Sequence, residues 1–446
     1  MTRISVSGFP DLPGQAGWNA ILGPTPDHPK LEGKHSADVL IIGAGFAGLS
    51  AARRLNQLDS DAKIIIVDAG QLAENSAGRN SGFMIDLPHD LASDDYAGAG
   101  NDRVLIDLNR KAIEFASGAV QEYGIDKNFF DQSGKINGAA GEAAQSRNQS
   151  YANHLNSLGE TSEELDGAQM RKITGSPHYH SGLYTSGTVT LQPAGYIRGL
   201  AQGLVRDGVN LFCSSPVVSL QRQAGSWSAK TFDGEVSAGT VLLTVNGHLE
   251  SFGFKKRQLM QLFLYAVMTP ELSEDALRRL GGDPRWGITP SDPMGTSVRR
   301  IDTGQGGNRI VTRTCAHLRP GQRVGPGEVA GAARVMQKKF DARFPQLAGM
   351  KMEYTWAGHL CLTRNDVSVM RKLEEGLYSA CAQNGLGTAR GTLTGIGAAE
   401  LAMGQSSDIT KYFLAMDEPT KLPPKIVQDL AGNAYLKWKT WKARDE

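Results

Sequence analysis

Apolar residues in this chain follow two rhythms. Short continuous runs at 37–42 and 64–67 are too brief for helices and read as strands buried on both faces. Between them Leu49, Ala51, Ala52 and Leu55 recur at helical spacing, which predicts strand, turn, helix, strand. From Val104 to about Met170 the pattern is helical, with polar 141–149 as an exposed helix face. A helix from about 192 to Arg206 comes next, then strands at 208–212, 216–220, 227–232 and 241–245, with Asp233 and Gly234 as turn residues. Further strands are predicted at 262–268, 296–300 and 309–314, and a helix at 328–340. Residues 1–36 form a turn-rich lead-in anchored by Trp18, and Lys437, Lys439 and Lys442 mark a solvated face of a C-terminal helix.

The first turn carries the chemistry. Gly43, Gly45 and Gly48 stand at G-x-G-x-x-G spacing between the first strand and its helix, and Asp68 ends the next strand about 20 residues later. Gly43 suits a tight turn, Gly45 lets backbone approach a diphosphate, and Gly48 lets helix and strand pack closely. The amides of Phe46 and Ala47 open the helix and offer N–H groups to an anion. Asp68, with Ala69 after it, is placed to accept from a ribose diol. The pattern predicts an adenine dinucleotide site.

Composition narrows the classes. Lys and Arg total 47 against 46 Asp and Glu, so there is no polyelectrolyte face for nucleic acid. Glycine, at 53 of 446 residues, exceeds the usual ~7% and suits many tight turns around a cofactor. Four scattered cysteines, without metal spacing, point to a reduced cytoplasmic setting. The lead-in lacks a signal-peptide pattern, and no apolar run reaches the ~20 residues that span a bilayer. His178 and His180 lack a third ligand nearby, so no metal is expected.

Several separated blocks resemble flavin-dependent amine and amino-acid oxidoreductases of the D-amino-acid oxidase and glycine/sarcosine oxidase superfamily. They are 38–48 with Asp68; Ser76-Ala77-Gly78-Arg79-Asn80-Ser81-Gly82; Asn246-Gly247; Trp356-Ala357-Gly358 with Thr363; and Asn384-Gly385-Leu386-Gly387 followed by Gly391-Thr392-Leu393-Thr394. The match spans about 37–404 and is nearest the γ-glutamylputrescine-oxidase-like branch. The resemblance implies FAD, with Arg79 toward the pyrophosphate, Asn80, Ser81 and Gly82 beneath the flavin, and a helix from near Gly391 facing its pyrimidine side. Val218 is similar to the position whose backbone contacts adenine. The covalent cysteine of sarcosine-oxidase relatives has no counterpart: the matching position falls near Gly358, Cys361 reads as packing, and FAD is expected without a covalent bond.

The implied fold is α/β: a Rossmann-like FAD-binding domain of discontinuous segments (37–95, 185–250 and 354–410) plus a substrate domain with a mixed or antiparallel β-sheet and helices (96–184 and 251–353). Residues 1–36 are an N-terminal extension and 411–446 a C-terminal helical tail. The implied reaction oxidises the C–N bond of a small primary or secondary amine or amino acid to an imine, with hydride passing to flavin N5 and O2 as acceptor, giving H2O2. Alternatives are a dehydrogenase using a quinone or carrier, a non-catalytic or tRNA-modifying flavoprotein, and a nicotinamide enzyme. On the substrate side, Asp86 can pair with an ammonium, His89 follows the flavin block, and Tyr265 lies on the 262–268 strand. Arg300 is the candidate for a substrate carboxylate; period-2 alternation lets only one of Arg299 and Arg300 face inward.

Overall fold

Ile64–Val67 is wholly buried, as expected of a strand covered on both faces, and Leu40, Ile41 and Ile42 of the strand Gly33–Ile42 are buried too. The computed structural model of the chain describes residues 3–446 apart from 91, 92, 94, 99 and 224. Five strands run parallel in the order Leu377–Cys381, Gly234–Leu243, Gly33–Ile42, Ile64–Val67, Asn210–Phe212, so their C-terminal ends share one edge. Gly234–Leu243 branches: Val241–Leu243 pairs with Leu377–Ser379, whereas Glu235–Ala238 pairs antiparallel with Ser226–Lys230. Strands Ser219–Gln223 and Arg3–Ser5 continue that meander.

Alternation along each strand separates two cores. Ile41, Ile64 and Ile66 pack with Leu49, Ala52 and Leu55 of helix Phe46–Leu58, and with helices Pro193–Arg206 and Ala389–Ala402. Leu40, Ile42, Ile65 and Val67 face Leu220, Trp227 and Val236 of the meander. Each such fully buried aliphatic side chain contributes about 1.5–3 kcal/mol.

A second, eight-stranded sheet runs Tyr354–Leu362, Met260–Met268, Arg309–Leu318, Ser297–Ile301, Trp286–Pro290, Lys135–Ala139, Ser181–Thr185, Glu163–Asp166. It is antiparallel except where Trp286–Pro290 meets Lys135–Ala139, and is therefore mixed. Tyr354–Leu362, grouped by sequence with the cofactor segments, pairs here. Met336 and Phe340 of helix Pro326–Arg343 cover one face; Ala266, Met268, Val311 and Trp356 turn the other toward the first core. Phe83–Met84, Val189–Leu191 and Phe130–Asp131 form a small third sheet.

The helical reading of 104–170 holds for Asp102–Tyr123, Glu142–Ser157 and Gly167–Thr174, but strands Phe130–Asp131, Lys135–Ala139 and Glu163–Asp166 interrupt it. All five residues of Lys135–Ala139 are buried, so no alternation betrays the strand, and pairing with remote partners decides it. Among the described residues, no helix is long and apolar enough to cross a membrane.

Candidate active site

The cleft lies at the edge where the parallel strands end. Gly43 has φ +113°, and its N–H reaches the Val67 carbonyl at 2.8 Å. A Cβ at Gly48 would stand 1.8 Å from the Gly43 carbonyl oxygen, so only glycine permits this approach of helix to strand. The Thr244 hydroxyl lies 2.9 and 2.8 Å from the carbonyls of Ile42 and Gly43 and clamps the turn. Gly45 caps helix Phe46–Leu58 without a side-chain bond, and its first turn has no acid. The positive end of that helix is therefore left to a ligand, and Gly45, Phe46 and Ala47 line the cleft.

Asp68 also lines it, with Ala69. One carboxylate oxygen accepts from the Ala44 N–H at 2.7 Å; the other accepts from the Gly70 N–H and Asn75 Nδ2, both at 2.9 Å. Burial pushes the carboxyl above its ordinary range, and these bonds pull it back in part. The acid thus orders the loops on both sides of the cleft and keeps spare lone pairs for a diol.

Arg79, expected at the pyrophosphate, spends its fork on backbone carbonyls: Nε donates to Glu74 at 2.5 Å and Nη1 to Ala357 and Pro13 at 3.1 and 3.3 Å. Burial lowers it to about 10, and it still lines the cleft as a cation. The Asn80 side chain faces its own turn, donating to the Ala77 carbonyl and accepting from the Gly82 N–H at 2.8 Å. It shapes the turn that presents Ser81, which lines the cleft. Gly82, at φ +75°, would place a Cβ 2.5 Å from the Leu191 carbonyl oxygen.

On the opposite wall Asn246, His248, Gly358, Gly385, Gly387, Thr388 and Gly391 line the cleft. Helix Ala389–Ala402 starts there, again without a side-chain cap, and a Cβ at Gly387 would meet nothing within 4 Å. Thr392, Leu393 and Thr394 do not reach the cleft. Thr392 bonds back to Thr388, Thr394 to Gln383 and Gly391, and Leu393 packs in the core, because they lie further along a buried helix. Gly247 sits below, packed on Gln261 and His359. Val218 has both backbone groups engaged, its N–H by Lys230 and its carbonyl by Val6; Val217, one residue earlier, lines the cleft instead. Phe9, Pro10 and Leu12 of the lead-in line it too, which no local pattern announced. Cys361 is packed in the meander core, its thiol pushed well up by burial.

The substrate-side candidates separate. Tyr265 borders the cleft between Leu264 and Ala266, but its ring packs against Ala332 and Met336, with its hydroxyl on His317 Nδ1 at 2.8 Å. Arg300 points away, to the Gly281 carbonyl. Arg299 faces inward, yet its Nη1 holds the carbonyls of Ser81, Gly82 and Leu191 at 3.3, 3.1 and 3.1 Å, so it braces the turn. Asp86 is buried with Thr188 and Arg110, away from the cleft. His89 stacks on Tyr96 at 4.3 Å, and burial, then the charges of Lys135 and Arg313, hold its pKa well below the ordinary value. Sequence reading missed Arg313, which lines the cleft beside Phe83, Leu264 and Ala266. Among the described residues no carboxylate answers its charge, and burial lowers its pKa. Its strand has the same texture as its neighbours, and a bulge where Cys315 takes φ +63° obscures the phase beyond it.

Two uncapped helix ends, a diol-facing acid and open space at Gly387 fit the diphosphate, ribose and polar ring edge of a flavin dinucleotide. The FAD dependent oxidoreductase family model matches residues 38–401. Over 423 residues the chain is 24% identical to a probable oxidoreductase OrdL of Haemophilus influenzae, covering 92% of this chain and 93% of that one. It is 23% identical over 386 residues to the γ-glutamylputrescine oxidoreductase of Escherichia coli, covering 83% and 84%. Glycine oxidase from Geobacillus kaustophilus superposes with TM-score 0.69 at 16% identity, over 87% of this chain and 100% of that one. Arrangement and family model agree: the chain belongs to the FAD-dependent oxidoreductases and is an enzyme of that family.

Proposed function

We propose that the enzyme oxidises the C–N bond of a small primary or secondary amine that carries a carboxylate. The observation that carries this reading is Arg313, a half-buried cation without a carboxylate partner among the described residues, in the cleft lined by the glycine turns. A guanidinium so placed grips a carboxylate with two parallel bonds and orients the rest of the substrate. Phe83, Leu264 and Ala266 exclude water beside it, which lowers the pKa of an ammonium and favours the neutral, reactive amine. Held by the turn at Gly43–Gly48, by Asp68 and by the start of helix Ala389–Ala402, FAD would supply a two-electron acceptor for the C–N bond, and O2 would then take the electrons as H2O2 while water hydrolyses the imine. The four free cysteines support a reducing, cytoplasmic setting.

The test is Arg313→Met across paired amines with and without a carboxylate. Loss of one partner of a desolvated charge pair costs about 2–5 kcal/mol, so kcat/KM for the acids should fall about 30- to 4000-fold while the neutral amines change little. Equal losses on both series would sink the assignment. Peroxide release in air at a rate matching an artificial acceptor would support O2; its absence would favour a carrier or quinone.

A further inference from the structure

The tail is helical from Lys425 through Lys442, by way of a wider turn at Gln428–Gly432, and is built inside out. Its inward face is polar or small. Asn433 brackets the backbone of Leu318, accepting its N–H at 2.9 Å and donating to its carbonyl at 3.0 Å. Gly432 lies against the Leu318 side chain, and Asp429 pairs with Arg319 at 2.7 Å. The outward face carries Ile426, Leu430, Tyr435, Trp438 and Trp441, exposed by 75, 71, 56, 47 and 60%. A helix on a globular surface ordinarily does the reverse. Five of the twelve large apolar side chains exposed among the described residues fall on this one stripe, which runs about 22 Å at helical rise.

We propose that this face lies on a membrane surface bearing anionic headgroups. Charge complementarity selects that occupant. Lys421, Lys425, Lys437, Lys442 and Arg444 are exposed around the stripe. The acids nearby are mostly used internally: Asp429 by Arg319, and Glu446, whose carboxylate accepts from the Ala140 and Ser291 amides. Lys442 rides over the Trp438 ring at 4.2 Å and Arg444 over Trp441 at 4.8 Å, so cation and indole present together. Indoles with an apolar body and a polar edge, flanked by lysines, suit the headgroup boundary, where the helix lies flat without spanning. A second copy of the chain would set these lysines against their own equivalents, with few acids to answer them. This inference is independent of the substrate assigned above.

The experiment is flotation of the FAD-loaded full-length enzyme with vesicles of phosphatidylcholine alone or with about 30 mol% phosphatidylglycerol. Wild type should float only with the anionic vesicles and be released as salt is raised. Trp438→Ser with Trp441→Ser should weaken partitioning about ten-fold, and each of Lys425→Gln, Lys437→Gln and Lys442→Gln about five-fold. Flavin content and turnover with a soluble acceptor should remain at wild-type level and certify the fold. Failure to float, or equal flotation of the variants, overturns the proposal. A concentration-dependent dimer abolished by the double tryptophan variant, without vesicle binding, would assign the face to a second copy. Binding to polyglutamate but not vesicles would assign it to an acidic protein.

Discussion

Replacing Asp68 separates what the acid does for the fold from what it does for the ligand. In Asp68→Ala three donors lose their acceptor: the Ala44 and Gly70 amides and the Asn75 amide nitrogen. A buried donor left unsatisfied costs about 1–3 kcal/mol, and hydrogen bonds to a charged group are the stronger kind. Part is returned, because burial already penalises the ionised carboxylate and its removal ends that penalty. A net loss of about 4 kcal/mol is expected for Asp68→Ala. Asp68→Asn keeps the shape but turns a donor toward one existing donor, for about 2 kcal/mol. Unfolding entropy of about 2.1 cal/mol/K per residue over 446 residues is about 0.9 kcal/mol/K, so the alanine variant should melt about 4 °C lower. The assay is calorimetry on flavin-stripped protein, followed by titration with FAD. Stripped Asp68→Ala that melts with wild type, while binding FAD more weakly, would refute the claim that this carboxylate orders the empty cleft.

Three further outcomes follow from the same geometry. Gly395→Ala would put a Cβ 2.2 Å from the Ala47 carbonyl oxygen; the overpacking, about 1–3 kcal/mol, should displace the phosphate-facing helix end and weaken FAD about ten-fold by flavin fluorescence, and unchanged affinity with unchanged melting would contradict it. Arg299→Met should lower the melting temperature and the flavin content because three carbonyls lose their donor, whereas Arg300→Met should leave flavin retention intact; the opposite ranking would reverse their assigned roles. Burial lowers His248 to about 4 and His359 to about 3. The unfolded chain therefore takes up protons below about pH 6.5 that the folded chain refuses. Stability should fall on acidification from about pH 6.5 toward these values by up to about 1.4 kcal/mol per pH unit for each. Urea midpoints should show a flatter slope in His248→Asn, and an unaltered slope would remove His248 from the account.

What could be read in the sequence was whatever the backbone itself demands. Gly43 and Gly48 announce a turn and a close approach because no other side chain permits them, and Asp68 follows from the strand that ends there. Side chains whose role depends on which face of a strand they occupy stayed hidden. Alternation states that Arg299 and Arg300 differ but not which turns inward, and tertiary packing turned Arg299 onto the carbonyls of the turn behind the cleft. The same phase ambiguity hid that the Tyr265 ring packs against Ala332 and Met336, and that Val217, not Val218, lines the cleft. Arg313 and Thr244 stand out only through what surrounds them: Arg313 by the absence of an acid, Thr244 by the two carbonyls it clamps. Arg313 belongs to a strand, and Thr244 follows one, brought to the cleft from far along the chain. Asp86 was close in sequence to the flavin block, yet the short strand Phe83–Met84 carries it past the cleft to Arg110.

The branched strand Gly234–Leu243 imposes an order on biosynthesis. The glycine turn is made early, but its clamp, Thr244 on the Ile42 carbonyl, closes across 202 residues. At about 5–20 residues per second, the ribosome needs about 10–40 s to cover that interval. The second anion-facing helix, Ala389–Ala402, emerges later still. Throughout that time the apolar strand Gly33–Ile42 lacks the neighbour that shields its edge, a state that invites chaperone capture and aggregation. Nascent chains stalled before Leu377 should therefore retain no flavin, and coenzyme loading should trail translation of the last sixth of the protein.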